Sequence, residues 1–216
     1  MTAEPAIRPT VVQRVTSTIE DMIADGRLCP GDHVSEPSVA LHLGISRGPV
    51  REACRALIER GLLVTHANRG CFVRELSVRD IVDLYEVRAA LARLAGRTLA
   101  ERITPAQQAE LTAIVDQHEA AAQVWDLPAM QRLNVQFHDR IVEFSGNARL
   151  RAIEATMERE LAICRRRSTA AVIDAPPRNA EHRAIITALL ARDVEAAGAA
   201  LEHHILNSKT RFIERL

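Results

Sequence analysis

Four cysteines in 216 residues, at positions 29, 54, 71 and 164, form no close pair. Their spacing argues against a disulfide framework and a cysteine zinc site, and it fits a reducing cytosol. No apolar run approaches the roughly 18 residues that span a bilayer. Residues 1–10 carry two prolines and a glutamate but no apolar stretch of the kind that marks a secretory leader. Charge of one sign is missing too: 28 basic residues meet 28 acidic ones, so bulk charge gives no nucleic-acid signal. No internal repeat is visible. Glycine thins out beyond residue 75, where Ala, Leu, Arg and Glu dominate beside one tryptophan and one tyrosine. That stretch is expected to be all-helical.

What is present is concentrated near residue 46. Ser46-Arg47-Gly48-Pro49-Val50-Arg51-Glu52-Ala53 reads as the opening of a DNA-recognition helix. Ser46 is placed to accept from the open N–H groups of the first turn. Pro49 falls inside that turn, where its missing N–H removes no intrahelical bond. Arg47 and Arg51 lie one turn apart, and their guanidinium forks suit guanine edges and phosphates alike. An ordinary capped helix with a solvated charge row would read similarly, so the neighbours matter. Val39, Ala40 and Leu43 predict a short helix between Ser35 and Gly44. Val50, Cys54, Leu57 and Ile58 form the apolar stripe of the next one. Leu62–Thr65 and Cys71–Val73 are strand-like runs joined by His66-Ala67-Asn68-Arg69-Gly70, a hairpin with turn residues at its tip. Together these predict a winged helix-turn-helix. Arg69 and the bare backbone of Gly70 are placed to approach phosphates or the minor groove, and Gly70 equally suits a position needing positive φ. Between residues 46 and 74 six arginines face only Glu52 and Glu59, a local basic patch that suits a phosphate backbone.

The remaining 140 or so residues divide at their helix breakers. Ser77 begins a helix to about Arg102, and Thr104-Pro105 a second to about Val124. Asp126-Leu127-Pro128 begins a third, ending at Ser145-Gly146-Asn147, and a fourth covers roughly 148–168. Asp174-Ala175-Pro176-Pro177 is expected as a loop before a fifth helix to Ala191, and Asp193 caps the sixth. The expected architecture is therefore mainly α: a winged helix-turn-helix with a small β-hairpin over 1–75, then a six-helix antiparallel bundle over 76–216.

Within that bundle Asn134 and His138 stack on one helical face. His182 follows Glu181 on the fifth helix. Of the adjacent pair on the sixth, His204 shares its side with Ala197, Leu201 and Phe212 and is the inward one. Three inward imidazoles and an amide need a reason for burial. They are either separate core residues, each hydrogen-bonded locally, or ligands of one divalent metal such as Zn²⁺, Ni²⁺ or Mn²⁺, with positions left open for water or an anion. Metal-activated hydrolysis would also need a general base. Glu181 points about 100° from His182 on a helix and does not obviously provide one.

Two resemblances sharpen these readings. Residues 10–74 resemble the winged domain of the GntR family of bacterial transcription regulators, through Gly26-Arg27-Leu28-Cys29-Pro30-Gly31-Asp32, Ser35-Glu36, Leu43 to Ala53, Gly61-Leu62-Leu63 and Asn68-Arg69-Gly70. The resemblance implies DNA contacts from Arg47 and Arg51, helped by Ser46, Gly48 and the wing, where Arg69 and Gly70 lie. Pro37 stands where the family usually has an arginine, which removes one contact. Residues 76–216 resemble the shorter, six-helix FCD-type ligand-binding domain, through Glu86-Val87-Arg88, Asn134 to His138, Ser145-Gly146-Asn147, Glu181-His182 and Ala200 to His204. Many members bind a divalent metal through an aspartate and three histidines. The matching positions are Asn134, His138, His182 and His204, with asparagine replacing the aspartate as a weaker, neutral donor. The resemblance also places Arg88 toward the cavity, where it could hold an effector carboxylate, although an ion pair with Glu86 or a neighbouring helix would serve it equally. Ala92 replaces a glutamate common in the family. The implied function is a cytoplasmic homodimer on a double-stranded operator, responding to a small carboxylate and with no membrane partner. Repression relieved by ligand is the expected sign. A metalloenzyme and a direct metal sensor are the competing readings.

Overall fold

The computed structural model of the chain describes residues 10–165 and 175–214. Residues 1–9, the 166–168 end expected for the fourth bundle helix, and Asp174 lie outside the described residues. The chain divides into two compact units, one built on residues up to Leu76 and including the segment from Arg159, the other beginning at Ser77. Among the described residues there are nine helices and one three-stranded antiparallel sheet.

The first unit runs α1 (Val11–Ala24), β1 (His33–Val34), α2 (Glu36–Leu43), α3 (Arg47–Glu59), β2 (Leu63–His66) and β3 (Gly70–Val73). Apolar spacing explains its packing. Val15, Ile19 and Ile23 of α1 meet Val50, Ala53, Cys54 and Leu57 of α3, closed by Val39 and Ala40 of α2 and by Leu63, Cys71 and Val73 of the sheet. Gly44 stops α2 in the left-handed conformation, with φ of 64°, which glycine adopts without penalty. The strand order is β1-β3-β2, with Val64 opposite Phe72 and His66 opposite Gly70. Strand β1 is not foreseeable from the sequence, because two residues are too short to show a period of two.

The second unit contains α4 (Val78–Arg102), α5 (Pro105–Gln123), α6 (Leu127–Phe144), α7 (Ala148–Arg165) as far as Glu158, α8 (Ala175–Leu190) and α9 (Val194–Ile213). Ser77, Thr104, Asp126 and Asp193 each cap their helix by accepting from the backbone N–H three residues on. The expected loop at Ala175-Pro176-Pro177 is instead the first turn of α8; prolines fit there because first-turn N–H groups have no intrahelical acceptor. Helix α4 lies against α9, α5 against α6 and α8, and α8 against α9. The α4–α9 packing depends on glycine. A Cβ at Gly96 would fall 2.7 Å from the Ala197 carbonyl oxygen, and one at Gly198 2.7 Å from Arg97 Cγ. That close backbone approach seats α9 deeply enough to bury Leu201, His204 and Ile205. None of the described helices is long and apolar enough to cross a membrane.

Candidate functional site

The first candidate site is the start of α3. Ser46, Arg47, Gly48 and Arg51 are all exposed there. Ser46 holds the N-cap position in extended geometry, yet its side chain makes no capping bond. This corrects the sequence expectation, and the reason is local. The other serine, threonine and aspartate caps among the described residues take the third-position N–H, and here the third position is Pro49, which has none. The Ser46 hydroxyl thus keeps its hydrogen-bonding capacity at a helix N-terminus, where the positive end of the dipole favours anions. Arg51 meets Glu36 only at 3.4 Å, with its side chain 59% exposed. A pair so open to water is worth little and yields readily to a phosphate.

The wing supplies Arg69 and Gly70. Its tip turns at Asn68, with φ of 59°, and Gly70 has φ of 95°. Arg69 lies over the Phe72 ring at 5.4 Å, and Phe72 is flanked by the rings of His33 and His66, each at 5.0 Å between centroids. The stacking restrains an otherwise long and mobile cation. His33 and His66 carry no signal in the sequence because their partner, Phe72, lies on another strand. Gly70→Ala should destabilise the full chain by about 1–3 kcal/mol through backbone strain. Thermal unfolding checks this, since such a loss lowers the melting temperature by about 2–4 °C per kcal/mol in a chain of this size.

The second candidate site lies inside the helical unit. Asn134 and His138 come from α6, His182 from α8 and His204 from α9. The candidate ligand nitrogens of His138, His182 and His204 lie within 4.8 Å of one another. His138 Nε2 is 3.0 Å from His204 Nε2, and the His182 and His204 rings are 4.8 Å apart. His182 and His204 are fully buried, whereas His203 is exposed, as the direction of α9 requires. Phe137 packs on His182 at 4.7 Å.

Hydrogen bonding separates these residues. His204 Nδ1 lies 2.7 Å from Glu181 Oε2. Arg211 donates from Nη1 to Glu181 Oε1 at 2.8 Å and from Nη2 to Oε2 at 2.9 Å, and Asn207 donates to Oε1 at 2.7 Å. Burial alone would raise the Glu181 carboxyl, but donation from His204, Arg211 and Asn207 together holds it well below the usual carboxylate range. Burial lowers His204 against the pull of Glu181. The pair is thus a carboxylate and a neutral imidazole whose Nδ1–H donates. This fixes the tautomer and leaves the Nε2 lone pair facing the cluster. Burial, reinforced by the neighbouring imidazoles and Arg178, holds His182 well below the histidine range, in the neutral form that ligates metals.

Both ring nitrogens of His182 and Oδ1 of Asn134 are buried with no hydrogen-bond partner among the described residues. Unsatisfied buried polar atoms cost about 1–3 kcal/mol each. Among the described residues, local hydrogen bonding, the ordinary explanation for a core histidine, is therefore absent at His182. The three clustered imidazoles form a donor set that fits a divalent cation, and Asn134, one turn before His138 on α6, adds a buried amide oxygen. Glu181 matters more than its place in the sequence suggests. Its direction on α8 does diverge from His182, but α9 brings His204 to it. Since Arg211, Asn207 and His204 all engage that carboxylate, it is a positioning group for His204 and not an open base.

Arg88 is placed differently from the clamp reading. Its side chain is 6% exposed, and it donates from Nε to Glu154 Oε2 at 3.1 Å and pairs through Nη2 with Glu158 Oε2 at 2.9 Å, on α7. Its guanidinium also sits 5.9 Å from the Tyr85 ring centroid. The planar fork is already taken up by two carboxylates, so an effector would have to displace one of them. The geometry favours the ion pair with a neighbouring helix. Glu86 is not that partner, since it meets Lys209 at 3.3 Å.

An exposed arginine-bearing helix start beside a wing, joined to a helical unit with a buried donor cluster, defines a DNA-binding regulator with an attached sensing module. Residues 11–73 match the bacterial regulatory proteins of the gntR family, and residues 83–207 match the FCD domain. The chain belongs to the GntR family of transcription regulators, in the branch that carries an FCD domain. It is 34% identical over 205 residues to the probable D-xylose utilization operon transcriptional repressor of Paenarthrobacter nicotinovorans, covering 94% of this chain and 89% of that one. It is 27% identical to the HTH-type transcriptional repressor RspR of Escherichia coli, covering 95% and 91%. A putative GntR transcriptional regulator from Rhodococcus sp. RHA1 shares the structure with a TM-score of 0.75 and 26% identity, over 95% of this chain and 98% of that one. These relatives are transcription regulators, not enzymes.

Proposed function

We propose that this regulator is a repressor that binds its operator as a homodimer in the cytoplasm, and that a small carboxylate held at a divalent ion in the helical unit sets its hold on DNA. The repressor reading draws on the relatives from P. nicotinovorans and E. coli, both named as repressors. The observation that carries the sensing reading is the pair of unsatisfied nitrogens on His182, clustered with His138 and His204, together with the unsatisfied Oδ1 of Asn134 one turn from His138. Asn134, His138, His182 and His204 would hold a Zn²⁺, Ni²⁺ or Mn²⁺ ion, which when bound supplies a positive centre for a carboxylate. Because Asn134 is neutral where an aspartate would bring charge, the occupied site keeps more of the ion's charge, and that favours an anionic ligand. Glu181 keeps the His204 proton on Nδ1, with Arg211 and Asn207 fixing the carboxylate. The effector shifts operator affinity only by the difference in its affinity for the two states of the protein.

A thermal-shift screen of small organic acids, with Zn²⁺ and with chelator, tests this. Acids should raise the melting temperature only when metal is present. Equal shifts in chelator would separate the ligand from the ion, and a metal shift with no response to any acid would make the ion itself the signal. Glu181→Gln should weaken Zn²⁺ affinity by about 10–100-fold, the usual cost of losing such an outer partner, measured by competition with a chromogenic chelator. An unchanged affinity would remove Glu181 from the ligand-orienting network.

A further inference from the structure

A fourth histidine belongs to this region. His118, on α5, is 1% exposed, and its ring packs edge-on to that of His182 with centroids 5.2 Å apart. Its Nδ1 lies 2.7 Å from Asn179 Oδ1, and Asn179 stands one turn before His182 on α8. An amide oxygen only accepts, so the ring proton belongs on Nδ1. Nε2 is then a bare lone pair, buried and with no hydrogen-bond partner among the described residues. His118 is not one of the clustered ligand histidines, so its unmet need is not met by the ion that would satisfy His182. A buried acceptor of this kind calls for a donor.

We infer that His118 Nε2 accepts a hydrogen bond from the effector, which selects small carboxylates that carry a hydroxyl group. This rests on the proposal that a carboxylate binds at the histidine cluster. A hydroxyl suits the position better than an ammonium group, because a second cation would be repelled by a bound metal. The edge contact between the His118 and His182 rings puts His118 beside the cluster at which the carboxylate would be held. His118 is inconspicuous in the sequence because Asn179, which fixes its tautomer, lies 61 positions away.

The test uses the full chain loaded with Zn²⁺ and two matched pairs of acids, propanoate against lactate and succinate against malate, measured by calorimetry. The wild type should bind the hydroxylated member of at least one pair about tenfold more tightly, the worth of one well-made hydrogen bond in a buried site. His118→Asn keeps a group at the Nδ1 position facing Asn179 and deletes Nε2, and it should reduce the preference to within about twofold. His118→Gln places an amide group near the Nε2 position and should restore most of it. Zn²⁺ content should stay the same in both variants. Equal binding of both members by the wild type, or a preference that survives His118→Asn, overturns the assignment of His118 while the carboxylate reading stands. Loss of Zn²⁺ in His118→Asn overturns it too, by making His118 part of the metal site. Binding of no acid by the Zn²⁺-loaded wild type sinks the carboxylate reading, and this inference with it.

Discussion

Replacing Arg47 and Arg51 together with alanine should lower affinity for an operator selected from random duplexes by about 100-fold or more, with no change in melting temperature. Each arginine bonded to a base edge is worth about 1–3 kcal/mol, and the two sit on consecutive turns of α3, so one docked helix uses both. Folding should not suffer. Both side chains are exposed, and they flank the core stripe of Val50, Ala53, Cys54 and Leu57 without joining it. Arg51 and Glu36, 3.4 Å apart, form only a loose, hydrated pair. The salt slope of binding should also flatten by about one for each phosphate that these arginines neutralise in the wild type. As a control, Arg79→Ala removes an arginine that is 87% exposed on α4 and should leave DNA binding intact. An unaltered gel shift for the double variant would remove α3 from the interface.

His182→Ala should abolish the thermal response to Zn²⁺ while costing the metal-free protein little. In the wild type, Zn²⁺ at 100 times its dissociation constant adds about 2.7 kcal/mol, or roughly 5–10 °C at 2–4 °C per kcal/mol. The variant loses an imidazole from the centre of the cluster, and its Zn²⁺ affinity should fall by more than the roughly 100-fold upper end for an outer partner. The metal-free protein should respond quite differently. A core histidine with both nitrogens bonded is destabilising to remove, because its partners are orphaned. Here neither nitrogen has a partner among the described residues, so truncation removes a buried polar burden and leaves only a cavity, whose cost partly cancels that gain. A large loss of stability in chelator, with an unchanged Zn²⁺ response, would return His182 to the role of an ordinary core residue.

Much of this fold is legible in the chain because its helices announce their own beginnings. Ser77, Thr104, Asp126 and Asp193 sit where the caps of α4, α5, α6 and α9 are found, and capping is a local affair of four residues. Ser46 shows the limit of the same rule. Its position is right, but the capping bond fails because Pro49 occupies the third helical position, a detail that lies in the pairing of two residues rather than in either one. The direction of His204 is legible from the face it shares with Ala197, Leu201 and Phe212, and the opposite exposure of His203 follows from it. Pairings between distant segments are not legible. Glu181 needs α9 to bring His204 and Arg211 to it, Arg88 needs α7 to supply Glu154 and Glu158, and the Phe72 cluster of the wing needs β1. A helical period reports which side of an element is inward, but not what waits there.

Crystals of the full chain grown with Zn²⁺, with diffraction recorded on both sides of the zinc absorption edge, test the sensing account most directly. The prediction is one anomalous peak per chain in the helical unit, within bonding distance of Asn134 Oδ1 and of nitrogens of His138, His182 and His204, with Glu181 still accepting from His204 Nδ1. A map with no peak there, and His138 Nε2 still bonded to His204 Nε2, would contradict it.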